Sequence, residues 1–328
     1  MSGVNKATLR TWVYPILVVS ILVSWASYMQ ISDNWKLFQE YWGLSLTMGF
    51  GSIIAGATPQ GGAAVAFPVF TKVFHIPSPD ARTFGLMIQA VGMTVASITI
   101  IARGVPILWK PLLWTCLGST VGIVLGTYFL PIPAPYPKIL FTLILSVFGV
   151  ALVLSRWLLP KARRTTLRVE SWRRKAVFIT VGVLGGVFAA YTGSGVDSLF
   201  FIFLALAFGV EEKVGTPTTV IAMAFTSVIG ALLHSVVSQD VGVALDYWLV
   251  ALPVVIFGAP LGAWFLSRIS RDALITGIVI LILIELISTL ILITLTPEMI
   301  MVCSIIMILS AISFYAMIRF QYTRLHLK

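Results

Sequence analysis

Ala57-Thr58-Pro59-Gln60-Gly61-Gly62-Ala63 and Tyr191-Thr192-Gly193-Ser194-Gly195-Val196-Asp197 decide how this chain is read. They stand 134 residues apart, and the pattern around them repeats at that offset over 49–95 and 183–229. In each copy a short apolar stretch meets a Gly-rich break, a second short apolar stretch follows, and a full-length apolar stretch comes after it. Thr58 aligns with Thr192, Gly61 with Gly195, Phe67 with Phe201 and Gly51 with Gly185. Interrupted hydrophobic segments at corresponding places in two halves are the best sequence pointer to the substrate site of a membrane transporter.

Composition agrees with a membrane protein. The chain is 59% hydrophobic and 10% charged, against about 25% charged in an ordinary soluble domain. Several apolar runs reach the roughly 20 residues that a spanning helix needs. The net charge of +10 does not point to nucleic acid, because the basic residues fall in the loops between apolar segments, where membrane topology is set. Residues 12–29, with Lys6 and Arg10 before them, exceed the length of a signal-peptide core and read as a retained first helix. Cys116 and Cys303 each sit in an apolar run without a partner at metal spacing, so they read as small buried residues. No cofactor and no metal are expected.

Loop charges choose the topology. The broken segments, 43–74 and 176–208, are either single interrupted spans or hairpins that return to the side they entered from. With hairpins and a cytoplasmic N-terminus, 18 of the 22 Lys and Arg fall on the cytoplasmic side, and Lys36, Lys72, Arg82 and Lys138 stay outside. If both segments cross, either the loop 156–175 with its eight basic residues lands outside, or both termini do, with Arg268 and Arg271. Only hairpins satisfy the positive-inside rule throughout. Arms of about 15 and 12 residues, at 1.5 Å per residue, also enter a bilayer core without spanning it. The expected fold is therefore an all-α integral membrane protein. It has eight transmembrane helices and two re-entrant helical hairpins in an inverted repeat, with both termini cytoplasmic in the plasma or inner membrane. Its halves are 1–158 and 176–328, joined by the basic linker 159–175.

A hairpin tip that starts a half-helix inside the membrane offers unpaired backbone N–H groups and the positive end of a helix dipole. Two such tips approaching from opposite sides make a site for an anion without Lys or Arg. The substrate-binding candidates are Thr58, Gln60, Gly61 and Gly62 in the first break, and Thr192, Ser194, Gly195 and Val196 in the second. Gln89 joins them as an uncharged amide in an apolar helix that needs partners. Thr83, Thr94, Thr216, Thr218, Thr219 and Thr226 add hydroxyls, though a Thr in a membrane helix most often bonds its own backbone. Asp197 and Glu285 are candidates for proton coupling. Asp197 also reads as a cap of its own half-helix, and Glu285, inside the apolar run 280–287, as a protonated packing residue. His234 and His75 read as interfacial. Gly118-x-x-x-Gly122-x-x-x-Gly126 reads as a packing face.

At the two breaks and the helix starts after them, Ala81-Arg82-Thr83 and Gly215-Thr216-Pro217-Thr218-Thr219, the chain resembles the sulfite exporter TauE/SafE family of bacterial permeases. The resemblance covers nearly the whole chain; Pro59 and Gln60 depart from the glycines expected in the first break. It implies movement of sulfite, sulfonates or related sulfur oxyanions across the plasma membrane. The expected function is a secondary transporter that exports such an anion by alternating access. Its expected partners are the small anion, the lipid bilayer and a second copy of the chain. An importer or a channel for the same anions is the alternative within transport. An intramembrane hydrolase using Ser194 is the alternative of another class, and it would need a His base facing that serine.

Overall fold

The computed structural model describes residues 6–57, 63–157, 164–266 and 271–326. Among these residues the chain is helical almost throughout, and the only β pairing is an isolated bridge between Arg164 and Val210. The first half runs through α1 (Lys6–Ile31), the short α2 (Leu37–Glu40), α3 (Trp42–Ala57), α4 (Ala63–Pro68), α5 (Ser78–Ala102), α6 (Trp109–Tyr128) and α7 (Tyr136–Trp157). The second runs through α8 (Trp172–Thr192), α9 (Val196–Ile202), α10 (Glu212–Leu232), α11 (Ala244–Leu266), α12 (Arg271–Leu292) and α13 (Pro297–His326). Among the described residues eight helices are long and apolar enough to cross a membrane, so this is an all-α, multi-pass membrane protein.

The repeat is visible residue by residue. Moving 134 positions along carries the start of α5, Ser78, onto the start of α10, Glu212. It carries the π-helical turn Val69–Val73, which ends the return arm after α4, onto the π-helical turn Phe203–Ala207 after α9. Packing follows the same rule. The closely packed pair α6–α8 maps onto the closely packed pair α11–α3, and the pair α5–α10 maps onto itself. Each half thus lends a helix to the other, with α5 and α10 between them.

Small residues make these contacts. Gly118, Gly122 and Gly126 of α6 face Ile179, Val183 and Val187 of α8, while Gly182 and Gly186 of α8 face Thr115 and Ser119 of α6. A Cβ at Gly118 or Gly122 would run into a backbone carbonyl, so the stripe expected to pack does so, by direct backbone approach. In the sister pair Gly258 lies against Ser52, and the Ser45 hydroxyl donates to the Val250 carbonyl at 2.8 Å. In both pairs the contacts advance along both helices together, so the partners run parallel.

Side-chain contacts place the ends of the broken segments. The first begins beside Tyr247, whose ring is 5.1 Å from that of Tyr41, and its return arm comes back to the same residue, with Phe70 at 6.4 Å. The second begins with Lys175 over the Trp114 ring at 5.0 Å, near the start of α6. It leaves by the same end: the Arg164 N–H donates to Gly209 O, and the Leu108 N–H to Thr218 Oγ1 at 3.1 Å. Its tip lies at the other end of α6, where the Tyr191 hydroxyl donates to Leu130 O at 2.5 Å and Arg82 Nη1 to Ala190 O at 3.1 Å. Arg82 is in the second turn of α5, directly after the first segment's return arm. The two segments therefore open at opposite ends of the bundle.

One expectation is corrected. The first arm of the second segment is α8, with 21 residues rather than about 15, and reaches about 31 Å at 1.5 Å per residue. Ser171 starts the helix early by accepting the Arg174 N–H, which brings Trp172-Arg173-Arg174-Lys175 into its first turn. The tip consequently lies level with the last turn of α6, not at its middle. Trp172–Thr192 is accordingly among the eight long apolar helices.

Candidate functional site

At the second break, α8 ends because Gly193 adopts φ 78° while its N–H donates back to Ala189 O at 2.9 Å. Gly195, at φ 142°, turns the chain into α9. A side chain is excluded at Gly193 by more than its backbone angle: a Cβ there would lie 2.8 Å from the Arg82 carbonyl. The hairpin closes because Gly185 of α8 leaves room for Val196, whose Cα would be 2.8 Å from a Cβ at position 185.

Helix α5 completes the tip from the first half. Gly85 and Gln89, one turn apart on one face, both reach Gly193: Gly85 in van der Waals contact, and Gln89 by donating Nε2–H to the Gly193 carbonyl at 2.8 Å. Gln89 is 4% exposed, and its Oε1 has no hydrogen-bond partner. Beside this contact lies a small recess lined by Thr192, Ser194, Gly195 and Ser198 of the tip and by Phe141, Ile144 and Leu145 of α7. Hydroxyl-bearing residues and a glycine of the tip thus line it together with apolar residues of α7.

Asp197 is in the first turn of α9 and wholly buried. Its Oδ1 accepts the Ser198 backbone N–H at 2.8 Å, so the carboxylate takes up one of the donors at this helix start, and its Oδ2 has no partner. The Thr192 hydroxyl lies 2.7 Å from Ser194 O and 3.0 Å from Phe188 O. Of the later threonines, Thr218, Thr219 and Thr226 donate to carbonyls of their own helix.

The structure brings Thr192, Ser194, Gly195, Val196, Asp197 and Gln89 to one tip. Thr58, Gln60, Gly61 and Gly62 of the first break lie outside the described residues. Glu285 is elsewhere, on α12, in an ion pair that the sequence concealed. Lys72 Nζ, from the π-helical turn of the first return arm, lies 2.6 Å from Glu285 Oε1, and both side chains are about 95% buried. Lys72, counted on the outer side of the membrane, is thus a buried charge and not a solvated loop residue. The apolar run before it and the 213 residues that separate it from its partner gave no local sign of the pair; the only available signal was a lone Lys at one end of an apolar arm and a lone Glu inside another.

His234, read as interfacial, is 1% exposed and pairs through Nδ1 with Asp240 Oδ1 at 2.9 Å. Its Nε2 has no hydrogen-bond partner, so it is not bonded to Ser194.

A family model described as Sulfite exporter TauE/SafE matches residues 44–290. The match begins within α3 and ends within α12, taking in both repeats and both Gly-rich breaks. No curated protein and no solved structure matches the chain. With well over half its length matched across both repeats, the chain belongs to the sulfite exporter TauE/SafE family of membrane transporters.

Proposed function

We propose that this protein is a secondary transporter that exports a small anion, sulfite or a related sulfur oxyanion or sulfonate, by alternating access. The observation that carries the reading is the meeting of the two repeats at the second tip: Gln89 of the first half holds Gly193 of the second, beside a recess lined by Thr192, Ser194, Gly195 and Ser198. A site shared by two repeats changes shape when one repeat moves against the other. The hydroxyls and the Val196 end of α9 suit an oxyanion, and Thr58, Gln60, Gly61 and Gly62 are the corresponding contributors from the first break.

Protons fit the same site through Asp197. An ionised, unpaired carboxylate is costly in an apolar interior and repels an anion beside it; a protonated one is neutral and offers a donor. Anion binding and proton binding then favour each other. Glu285 is a weaker carrier on this reading, because Lys72 already neutralises it.

In the bilayer both broken segments are hairpins of an inverted repeat, with the termini and the linker 159–175 in the cytoplasm of a cell bounded by this membrane. The opposite openings and the basic residues of the linker support that orientation. Purified protein in proteoliposomes tests the function: sulfite efflux should be saturable and faster with an imposed pH gradient. Flux that does not saturate, or no sulfite flux at all, overturns the reading.

A further inference from the structure

Lys72 and Glu285 form a polar network buried in the described interior. Besides the 2.6 Å ion pair, Lys72 Nζ donates to Ser288 Oγ at 2.9 Å and to Thr289 Oγ1 at 2.7 Å, and lies 3.3 Å from Glu285 O. Glu285 Oε1 also accepts the Thr142 hydroxyl of α7 at 2.7 Å. One residue earlier on the arm, the Thr71 carbonyl accepts from Lys138 of α7 at 3.0 Å. The return arm of the first broken segment is thus tied to α7 and α12 through two consecutive residues.

The protein contains its own control for what this network is worth to the fold. The offset of 134 places Leu206 opposite Lys72, Ala151 opposite Glu285 and Leu154 opposite Ser288. Leu206 and Ala151 are buried in one apolar cluster, and Leu206 sits in the equivalent π-helical turn, Phe203–Ala207. The second return arm therefore forms the same π-helical turn without charge, so the charges are not needed to form the turn, and what they add is its attachment to α7 and α12 through Thr142, Ser288 and Thr289. Burying an ion pair is costly and often no more stabilising than apolar residues of similar volume, and ionisable groups inside membrane proteins mark function by default.

We propose that Lys72 and Glu285 are positioning residues for transport: a charge latch, present in one repeat only, that holds the return arm of the first broken segment on α7 and α12. It rests on the reading of the chain as a sulfite transporter. Breaking the latch frees the arm and slows the transport step while leaving anion affinity in place.

The second half supplies the decisive variant, Lys72→Leu with Glu285→Ala. Backbone hydrogen exchange over Val69–Val73 is measured on purified protein with no anion present, and sulfite efflux is measured in proteoliposomes. The folded double variant should exchange faster over that turn by about tenfold or more. Its maximal efflux should fall by about tenfold with the half-saturating sulfite concentration unchanged within about twofold. Wild-type efflux, or wild-type exchange over the turn, overturns the proposal. If that variant does not fold, Lys72→Glu with Glu285→Lys restores the pair in reverse: recovery of protection and efflux above either single variant supports the latch, and failure of the folded protein to recover them overturns it. The exchange measurement contains no anion, so it separates failure of the latch from failure of the tip as the binding site.

Discussion

Gln89 donates its amide N–H to the carbonyl of Gly193 at 2.8 Å, across 104 residues of sequence. This bond joins the helix after the first break to the tip of the second. Its equivalent in the other half is absent, because the residue 134 positions on is Met223, which is wholly buried. Gln89→Met should therefore fit sterically but leave the Gly193 carbonyl unpaired. The expected loss is about 1–3 kcal/mol of stability, read as a lower thermal midpoint, together with a fall in sulfite efflux. An unchanged midpoint removes the bond from the account of the tip.

Gly193 and Gly195 hold left-handed backbone. Gly193→Ala places a Cβ near the Arg82 carbonyl and should cost about 1–3 kcal/mol through strain. Gly195→Ala adds a methyl beside the Phe188 side chain at φ 142° and at the wall of the recess. Under the proposed function sulfite stabilises the native protein in thermal melts, and for both variants that shift should shrink. If either variant keeps the full sulfite-induced shift, the anion binds away from that residue.

Asp197→Asn removes the titratable group and keeps the size and the acceptor toward Ser198. An imposed pH gradient should then no longer accelerate sulfite efflux, while exchange of labelled for unlabelled sulfite at equal pH continues. Retention of gradient-driven efflux by the variant assigns proton coupling to another group.

The α6–α8 seam tolerates no side chain growth. Gly122→Val drives a branched side chain into the Val183 backbone, which cannot rotate away, and should cost at least the 1–3 kcal/mol typical of overpacking, about 3 kcal/mol or more here. Gly277 of α12 has nothing within 4 Å of its Cβ position, so Gly277→Ala should be neutral or stabilising by about 0.5–1 kcal/mol. Thermal midpoints of the two variants, measured side by side in one detergent, test both signs.

The place of the second tip along the chain is legible in the sequence, and its depth is not. Thr192, Ser194, Gly195 and Gln89 were legible because Gly-rich breaks and lone amides stand out against apolar runs. The depth was missed because one hydroxyl, that of Ser171, accepts the Arg174 N–H and starts α8 at Trp172, and hydropathy does not register such a cap. The pairing of His234 with Asp240, six residues on, is not legible either, because the chain after the helix folds back to make it.

By itself the sequence determined the membrane class, the helical content and the register of the repeat, which holds to the residue at Ser78 and Glu212 and at the two π-helical turns. These are local properties: a run of apolar residues has one stable form in lipid, with its backbone bonded internally, and a duplicated pattern keeps its spacing. Only the tertiary structure decided that Lys72 meets Glu285, that Gln89 meets Gly193 and that each half packs a helix against the other. Such pairs lie one hundred or more residues apart, and which lone polar group finds which depends on how the helices pack. No local pattern carries that information, because a buried Lys and a lipid-facing one sit in equally apolar stretches of chain.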